Sequence, residues 1–142
     1  AVGNATLSTS LLQVEFPNYR QLIQPSYPNT LTVAREALLE AVRRCRIFAR
    51  ETTPVRLEMT ATSLKLSVIT QDIGNSEEEI DCSLEGTEMT VGFNPEYLAA
   101  GIEAVTGDEI TIQTTDPQRP AVLRGVGAED YLYLVMPQRL TV

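Results

Sequence analysis

Two kinds of hydrophobic pattern occur along the chain, one typical of helices and one typical of strands. Residues 33–50 contain neither glycine nor proline, and their apolar side chains recur every three or four positions, which predicts a first helix. Thr32 is the residue expected to cap its N-terminus. Asn94 followed by Pro95 predicts the start of a second helix, because Asn is a good cap and Pro suits the first helical position. The apolar face of this second helix continues to Val105.

Between and after these helices, shorter segments alternate polar and apolar residues, as half-buried strands do. Turn-forming residues separate them, in particular 61–63, 85–86 and 125–127. The predicted order is helix, four strands, helix, three strands, which is an α+β fold with two helices on one face of antiparallel strand layers. Each half is a helix followed by strands, which suggests an internal duplication. The predicted strands are 55–60, 64–70, 79–84, 89–93, 109–114, 121–124 and 130–136.

The first 28 residues do not share this regular pattern. Residues 6–12 alternate as a strand would, but prolines within 16–19 and 25–28 break the pattern and favour an extended connector. The chain has 142 residues, of which 43% are hydrophobic, and this is sufficient for one hydrophobic core. We therefore expect one domain preceded by an N-terminal extension. Because the chain does not begin with methionine, we also expect it to be a piece of a longer protein.

Composition and charge exclude several classes of function. The formal net charge of -8 argues against a protein that binds nucleic acid over its whole surface, since phosphate contacts require Lys and Arg. No apolar run approaches the roughly 18 residues of a membrane span, and no secretory signal is recognisable, so we expect a cytoplasmic protein. Cys45 and Cys82 lie far apart and outside metal-binding spacings, which favours buried, reduced thiols.

The sequence offers little support for enzymatic chemistry. It contains no histidine, nucleophile elbow, phosphate-binding loop or dinucleotide-binding glycine motif. Catalysis by carboxylates alone, with Asp108, Glu109 and Asp116 around a divalent ion, is the alternative that the residues leave open. Acidic loop residues are usually just solvated. We expect no catalytic residue, no metal site and no cofactor.

Four strings carry a resemblance to a known family. Residues 16–23 read FPNYRQLI, residues 91–98 read VGFNPEYL, residues 115–124 read TDPQRPAVLR and residues 131–140 read YLYLVMPQRL. In this order and at these separations they resemble the C-terminal part of the bacterial DNA polymerase III beta subunit family, the replicative sliding clamps. The resemblance covers nearly the whole chain.

The resemblance implies a DNA-clamp-like fold and a place in a larger assembly. Subunits of this family have three similar domains, and two subunits close head to tail into a ring around duplex DNA. Residues 29–142 would be the third domain, and residues 1–28 would be the end of the second domain and the connector. The implied partners are duplex DNA of any sequence, the clamp loader, and clamp-binding peptides of DNA polymerase III and other replication or repair proteins. The full-length protein would be a homodimeric, non-catalytic processivity factor of the bacterial cytoplasm, whereas we expect the fragment to be monomeric.

Five of the eleven basic residues lie on the first predicted helix. At 100° per residue, four of them fall within about 80° of one another, beside the apolar face. From the residues alone, this stripe is either a solvated face paired with neighbouring glutamates or a surface for DNA phosphates. Helices line the hole of the ring in the clamp family, so the resemblance favours DNA contact. The predicted DNA-facing residues are Arg35, Arg43, Arg46 and Arg50.

A second set of residues is apolar and is assigned by the resemblance to a peptide groove between the second and third domains. From the residues alone, Leu134 and Met136 are equally compatible with the core-facing side of a terminal strand. Gln21 and Gln138 depart from the family pattern. The half of the groove from the second domain is absent, so we expect the fragment to bind peptides weakly or not at all. The predicted groove residues are Pro17, Leu22, Pro120, Leu134, Val135, Met136, Pro137 and Arg139.

Acidic residues cluster at the start of the third predicted strand. Successive carboxylates on a strand point to opposite faces, so Glu77 and Glu78 are poor ligands for one metal ion. The resemblance implies instead that they join Ile47 and Phe48 in the surface that meets the first domain of the partner subunit. The alternative function is a stand-alone peptide-binding adaptor without a DNA role, which would need no ring.

Overall fold

Eight strands and two α-helices are present in the computed structural model, which describes residues 2–15, 18–49, 53–70, 74–127 and 130–140. A short 3-10 helix, Tyr19–Gln21, precedes them. The elements in chain order are β1 Asn29–Ala34, α1 Arg35–Phe48, β2 Val55–Met59, β3 Ser63–Thr70, β4 Gly74–Glu85, β5 Met89–Phe93, α2 Pro95–Ala104, β6 Glu109–Thr114, β7 Ala121–Gly125 and β8 Tyr133–Val135. No helix in these ranges is long and apolar enough to cross a membrane.

All strand pairs are antiparallel, and the order across the sheet is β5-β2-β3-β4-β1-β6-β7-β8. The long strand β4 connects the two halves of this sheet, β5-β2-β3 and β1-β6-β7-β8. Its residues 74–81 pair with β3 and its residues 82–85 pair with β1. The order strand, helix, three strands occurs twice, first as β1 to β4 with α1 and then as β5 to β8 with α2. This repeat agrees with the predicted duplication.

The segment after β8 returns to the opposite edge of the sheet. Gln138 forms an isolated bridge with Gly92 of β5, and its backbone N–H donates to the Gly92 carbonyl at 2.7 Å. A Cβ added to Gly92 would lie 2.6 Å from Cδ2 of Leu140, so glycine permits this close approach. In the first half of the repeat, the corresponding pair is β1 with β4. The two ends of the strand order are therefore joined by the chain's own tail.

The core lies between the sheet and the two helices, which pack against each other. In β2, β3 and β6 the inward residues are fully buried and alternate with exposed or half-buried ones. This is the predicted α+β arrangement with both helices against the strand layer. The buried helical residues are Leu38, Leu39, Ala41, Val42 and Cys45 in α1, and Pro95, Leu98, Ala99, Gly101 and Ile102 in α2.

The structure differs from the predicted first helix at its beginning. Thr32 lies in β1, a strand that the pattern did not predict, and α1 begins only at Arg35. Leu31 and Val33 are buried and alternate with half-buried threonines between β4 and β6. Backbone hydrogen bonds to β4 and β6 hold this segment as a strand, although the sequence pattern predicts that the helix begins at residue 33. The backbone N–H of Arg35 donates to the carbonyl of Asp108 at 2.9 Å.

Other element boundaries in the structure also differ from those predicted from the sequence. The turn at 85–86 does not join a hairpin, because it leads from β4 to β5 at the far edge of the sheet. Residues 6–12 are exposed and form no strand. The last strand is shorter than predicted, since β8 ends at Val135. The cap of α2 is confirmed: Oδ1 of Asn94 accepts hydrogen bonds from the backbone N–H groups of the second and third helical residues at 2.9 and 3.4 Å.

Candidate functional site

The segment after β8 borders an open cleft of about 630 Å³. Residues 90–92 of β5 form one wall, Pro117 and Gln118 contribute from the loop before β7, and residues 137–140 complete the lining. Two predicted groove residues, Pro137 and Arg139, therefore line this cleft. The bridge between Gln138 and β5 holds this wall in place.

The pairing of β7 with β8 brings four further predicted groove residues together. Ala121 pairs with Val135 as the last pair of the ladder, and Pro120 and Met136 directly flank this pair in the chain. Val135 is buried at 3% exposure and belongs to the core, Leu134 is half-buried, and Met136 is 57% exposed. Met136 is thus a surface residue rather than a core residue of the strand.

The connector supplies the last two predicted groove residues. Leu22 follows the short 3-10 helix and is 42% exposed, and Pro17 lies outside the described residues. The hydroxyl of Thr115 donates to Oε1 of Gln24 at 2.9 Å, which ties the connector to the end of β6. The connector therefore runs close to the loop that lines the cleft.

The helix α2 fixes the position of β8 from inside. A Cβ added to Gly101 would lie 2.3 Å from the ring of Tyr133, so the ring packs directly on the helix backbone. The Tyr131 hydroxyl donates to the Gly101 carbonyl at 3.5 Å. Burial raises the pKa of both phenols, and a smaller electrostatic contribution at Tyr133 comes from Tyr97.

Tyr97 is an exposed aromatic residue near the candidate site that the sequence did not single out. Its side chain is 62% exposed on α2, near Tyr133 of β8. The sequence pattern predicts a helix here with one apolar face, but it does not show that this aromatic side chain is exposed. The usable signal was its position in the first turn after Asn94, where a helix end is open to solvent.

The arginines of α1 have carboxylate or carbonyl partners. Arg35 is only 18% exposed, and its guanidinium donates to the Val105 carbonyl at 2.6 Å and to Glu36 at 2.8 Å. This geometry binds the Arg35 side chain to the C-terminal end of α2 and leaves it little access to solvent. Arg44, which was not in the predicted stripe, makes two hydrogen bonds to Glu78 at 2.7 and 3.2 Å.

Arg43 and Arg46 reach across to α2. Arg43 lies 2.9 Å from Glu103, and Arg46 lies 3.4 Å from Glu96. All four side chains remain about half exposed or more. Exposed pairs of this kind stabilise a fold by at most about 1 kcal/mol each. Arg50 lies outside the described residues.

Among the described strands, one stretch of β4 has a neighbouring strand on one side only. Residues 74–81 pair with β3 on one side, and no strand in the described part of the chain pairs with the other side. Close to this edge, Ile47 is 74% exposed, whereas Phe48 is half-buried against the core. Such an open edge offers backbone donors and acceptors to a further strand.

The two predicted acidic interface residues already have partners within the chain. Glu77 lies 3.0 Å from Lys65 and Glu78 lies 2.7 Å from Arg44. The hydrogen bond and charge of Glu77 raise the pKa of Lys65. Within the described ranges, no group of three or more metal-ligating side chains comes together.

Comparison with known proteins identifies the family. The family model for the C-terminal domain of the DNA polymerase III beta subunit matches residues 20–139. The chain belongs to this family.

Relatives in the DNA polymerase III beta subunit family resemble the chain along nearly all of its length. The chain is 33% identical to the beta sliding clamp of Synechococcus elongatus, over 97% of this chain and 38% of that protein. It is 31% identical to the beta sliding clamp of Streptomyces coelicolor, over 94% of this chain and 37% of that protein. The crystal structure of the Thermotoga maritima beta subunit matches with a TM-score of 0.85 at 26% identity, over 91% of this chain and 35% of that one. The chain thus spans little more than a third of the length of these relatives.

Proposed function

We propose that the chain is the third domain of a replicative sliding clamp, a ring that encircles duplex DNA without regard to sequence and keeps the polymerase attached to it. Residues 29–142 would form this domain, and residues 1–28 would form the connector and the end of the second domain. The domain would act in the bacterial cytoplasm as a non-catalytic part of the ring, without a cofactor. The clamp loader, DNA polymerase III and other replication or repair proteins would be its protein partners.

The observation that carries this proposal is the exposed C-terminal cleft within the fold of the family. Pro137 keeps the wall of the cleft rigid and Arg139 adds a positive charge to its lining. Met136 directly precedes these residues in the chain and would offer an exposed, adaptable apolar side chain beside the cleft. The half-buried Leu134 of β8 and Pro120, which directly precedes β7, would extend this surface. A cleft with both apolar and polar lining groups, next to an exposed methionine, suits short peptides that insert a few large side chains.

The peptide role can be tested in the full-length subunit that contains this chain. We expect Met136→Ala to weaken binding of a clamp-binding peptide about five-fold or more, since loss of a buried contact of about 1 kcal/mol has that effect. Val126→Ala is the control, because Val126 is 53% exposed in the turn after β7 and outside the cleft. Equal affinity of both variants would contradict the proposal. An adaptor, in contrast, would bind the peptide equally well as the isolated chain.

The DNA role concerns the face where α1 meets α2. Arg43 and Arg46 lie on this face with their guanidinium groups about half exposed, which suits contact with phosphates through water. Arg50 completes the proposed set, whereas Arg35 would act mainly within the fold. Replacing Arg43, Arg46 and Arg50 with Gln in the full-length ring should lower DNA retention and reduce its salt dependence. An unchanged salt slope would refute the DNA-facing assignment.

The subunit contact would use the open edge of β4. Ile47 would supply apolar burial beside residues 74–81, with Phe48 behind it and Glu77 and Glu78 setting the charge of the surface. We expect Ile47→Asp to dissociate the full-length ring into monomers in sedimentation. Val126→Asp, at an exposed apolar position in the turn after β7 and away from β4, should leave it dimeric. Retention of a tight ring by the Ile47 variant would contradict this contact.

A further inference from the structure

The two exposed arginines on the proposed DNA face are not free cations in this fold. Arg43 is paired with Glu103 at 2.9 Å, and Arg46 is paired with Glu96 at 3.4 Å. Both carboxylates come from α2, so they lie on the same face as the arginines rather than behind it. Any phosphate that approaches this face must compete with a carboxylate for each guanidinium.

Phosphates can displace the carboxylates of these ion pairs, because the pairs contribute little to the stability of the fold. The four side chains have exposed fractions between 49% and 67%, so water screens the pairs and they can open at little cost. Arg35 and Arg44 are different, since Arg35 is largely buried on a carbonyl and Arg44 makes a two-point contact with a less exposed glutamate. The opening of a pair would therefore concern Arg43 and Arg46.

We propose that Glu96 and Glu103 act as internal competing anions, which reduce the affinity of Arg43 and Arg46 for the phosphate backbone of duplex DNA. This rests on the proposed function of the face. Each arginine that exchanges its carboxylate for a phosphate gains one ionic contact and loses another, so the net binding stays weak. Weak and easily exchanged contacts let a protein move along DNA instead of stopping on it.

The proposal is tested by neutralising the two carboxylates without changing their shape. In the E96Q/E103Q variant, both arginines become available to phosphate. We expect the chain to bind a duplex of about one helical turn roughly three to ten times more tightly than the parent chain at about 50 mM salt. The slope of log affinity against log salt should become steeper by about one to two, because each additional phosphate contact contributes about 0.9. Binding is followed by NMR through the side-chain Nε–Hε signals of Arg43 and Arg46.

A matched control separates this effect from a general change in charge. Glu58 and Glu109 are exposed and lie next to inward-facing core residues on β2 and β6, so their side chains project away from the helices. The E58Q/E109Q variant changes the net charge by the same amount and should gain at most about two-fold in affinity. The conservative variant E96D/E103D retains both anions and should stay near the parent affinity. A purely structural role of the pairs would instead appear as a lower melting temperature of E96Q/E103Q.

The outcomes distinguish this inference from the proposed function. If R43Q/R46Q binds DNA as the parent does, the DNA-facing assignment itself is wrong. If R43Q/R46Q loses binding but E96Q/E103Q gains no more than E58Q/E109Q, the arginines contact DNA and the competing-anion proposal is overturned. Absence of detectable binding by E96Q/E103Q at low salt would overturn it as well, since two released guanidinium groups would then have no effect.

Discussion

Replacing Gly101 with alanine tests how α2 positions the last strand. The added Cβ would lie 2.3, 2.6 and 2.9 Å from three ring atoms of Tyr133, all well inside the contact distance of about 3.5 to 4.0 Å between carbon atoms. The conflict involves the body of the ring rather than its flexible end. Either the ring or the strand β8 must therefore move.

Two opposing contributions set the magnitude. Alanine in place of glycine within a helix stabilises by about 1 kcal/mol through backbone entropy. Overpacking in a filled core destabilises by about 1 to 3 kcal/mol, and the three short distances place Gly101→Ala towards the upper end of that range. We expect a net loss of about 1 to 2 kcal/mol in the free energy of unfolding. In a chain of this size the melting temperature would fall by about 3 to 6 °C.

The assay is urea unfolding in two backgrounds. In the Tyr133→Ala background the conflict is gone, so Gly101→Ala should there stabilise the chain by about 1 kcal/mol. The effect of Gly101→Ala on the unfolding free energy should therefore change sign between the two backgrounds. An effect of the helix alone would be the same in both. The same change in unfolding free energy in both backgrounds, or stabilisation of the parent chain, would refute the reasoning.

Four other outcomes are expected. Asn29→Ala should destabilise by about 2 to 4 kcal/mol in urea unfolding, because the buried amide satisfies two backbone groups at 2.7 and 3.2 Å, whereas the exposed Asn75→Ala should have little effect. Asn94→Ala should cost about 0.5 to 2 kcal/mol through loss of the helix cap, and Asn94→Ser should recover most of it. Burial raises the pKa of the Cys45 and Cys82 thiols above 9.0, so the folded state keeps protons that the unfolded state releases. The contribution of these thiols to stability is therefore complete below pH 9 and is lost as the pH rises further. Cys45→Ala should reduce this loss of unfolding free energy when unfolding is measured from pH 8 to 10.5. The isolated chain should sediment as a monomer, since the partner of its interface is absent, and a tight closed ring would contradict this.

Local signals were sufficient for most elements of the fold. The cap and first turn of α2 are encoded by Asn94 and Pro95, and no tertiary contact is needed to recognise them. The strand β1 was missed because its six residues lead directly into α1, so Leu31 and Val33 offered too short an alternation beside a long helical pattern. Its identity depends on ladder bonds to β4 and β6, which are distant in sequence.

The same distinction applies to the candidate site. Helical spacing identified the arginine stripe but suggested the local glutamates as its partners, since only neighbours at i+3 or i+4 can be derived from one helix. Arg43 and Arg46 instead pair with glutamates 60 and 50 residues away. Their partners depend on how α1 packs on α2, and no pattern within either helix contains that information. The exposure of Met136 likewise depends on where β8 ends.

The strand β4 has a mechanical consequence. Its residues 74–81 form the open edge and its residues 82–85 are pinned to β1, so one continuous backbone connects the rim of the domain to its centre. Force applied at the rim travels through covalent bonds and ladder hydrogen bonds instead of through side chains that can slide. Force applied to this edge would be distributed over the whole domain. The fold would then open only when the hydrogen bonds of several strand ladders break together.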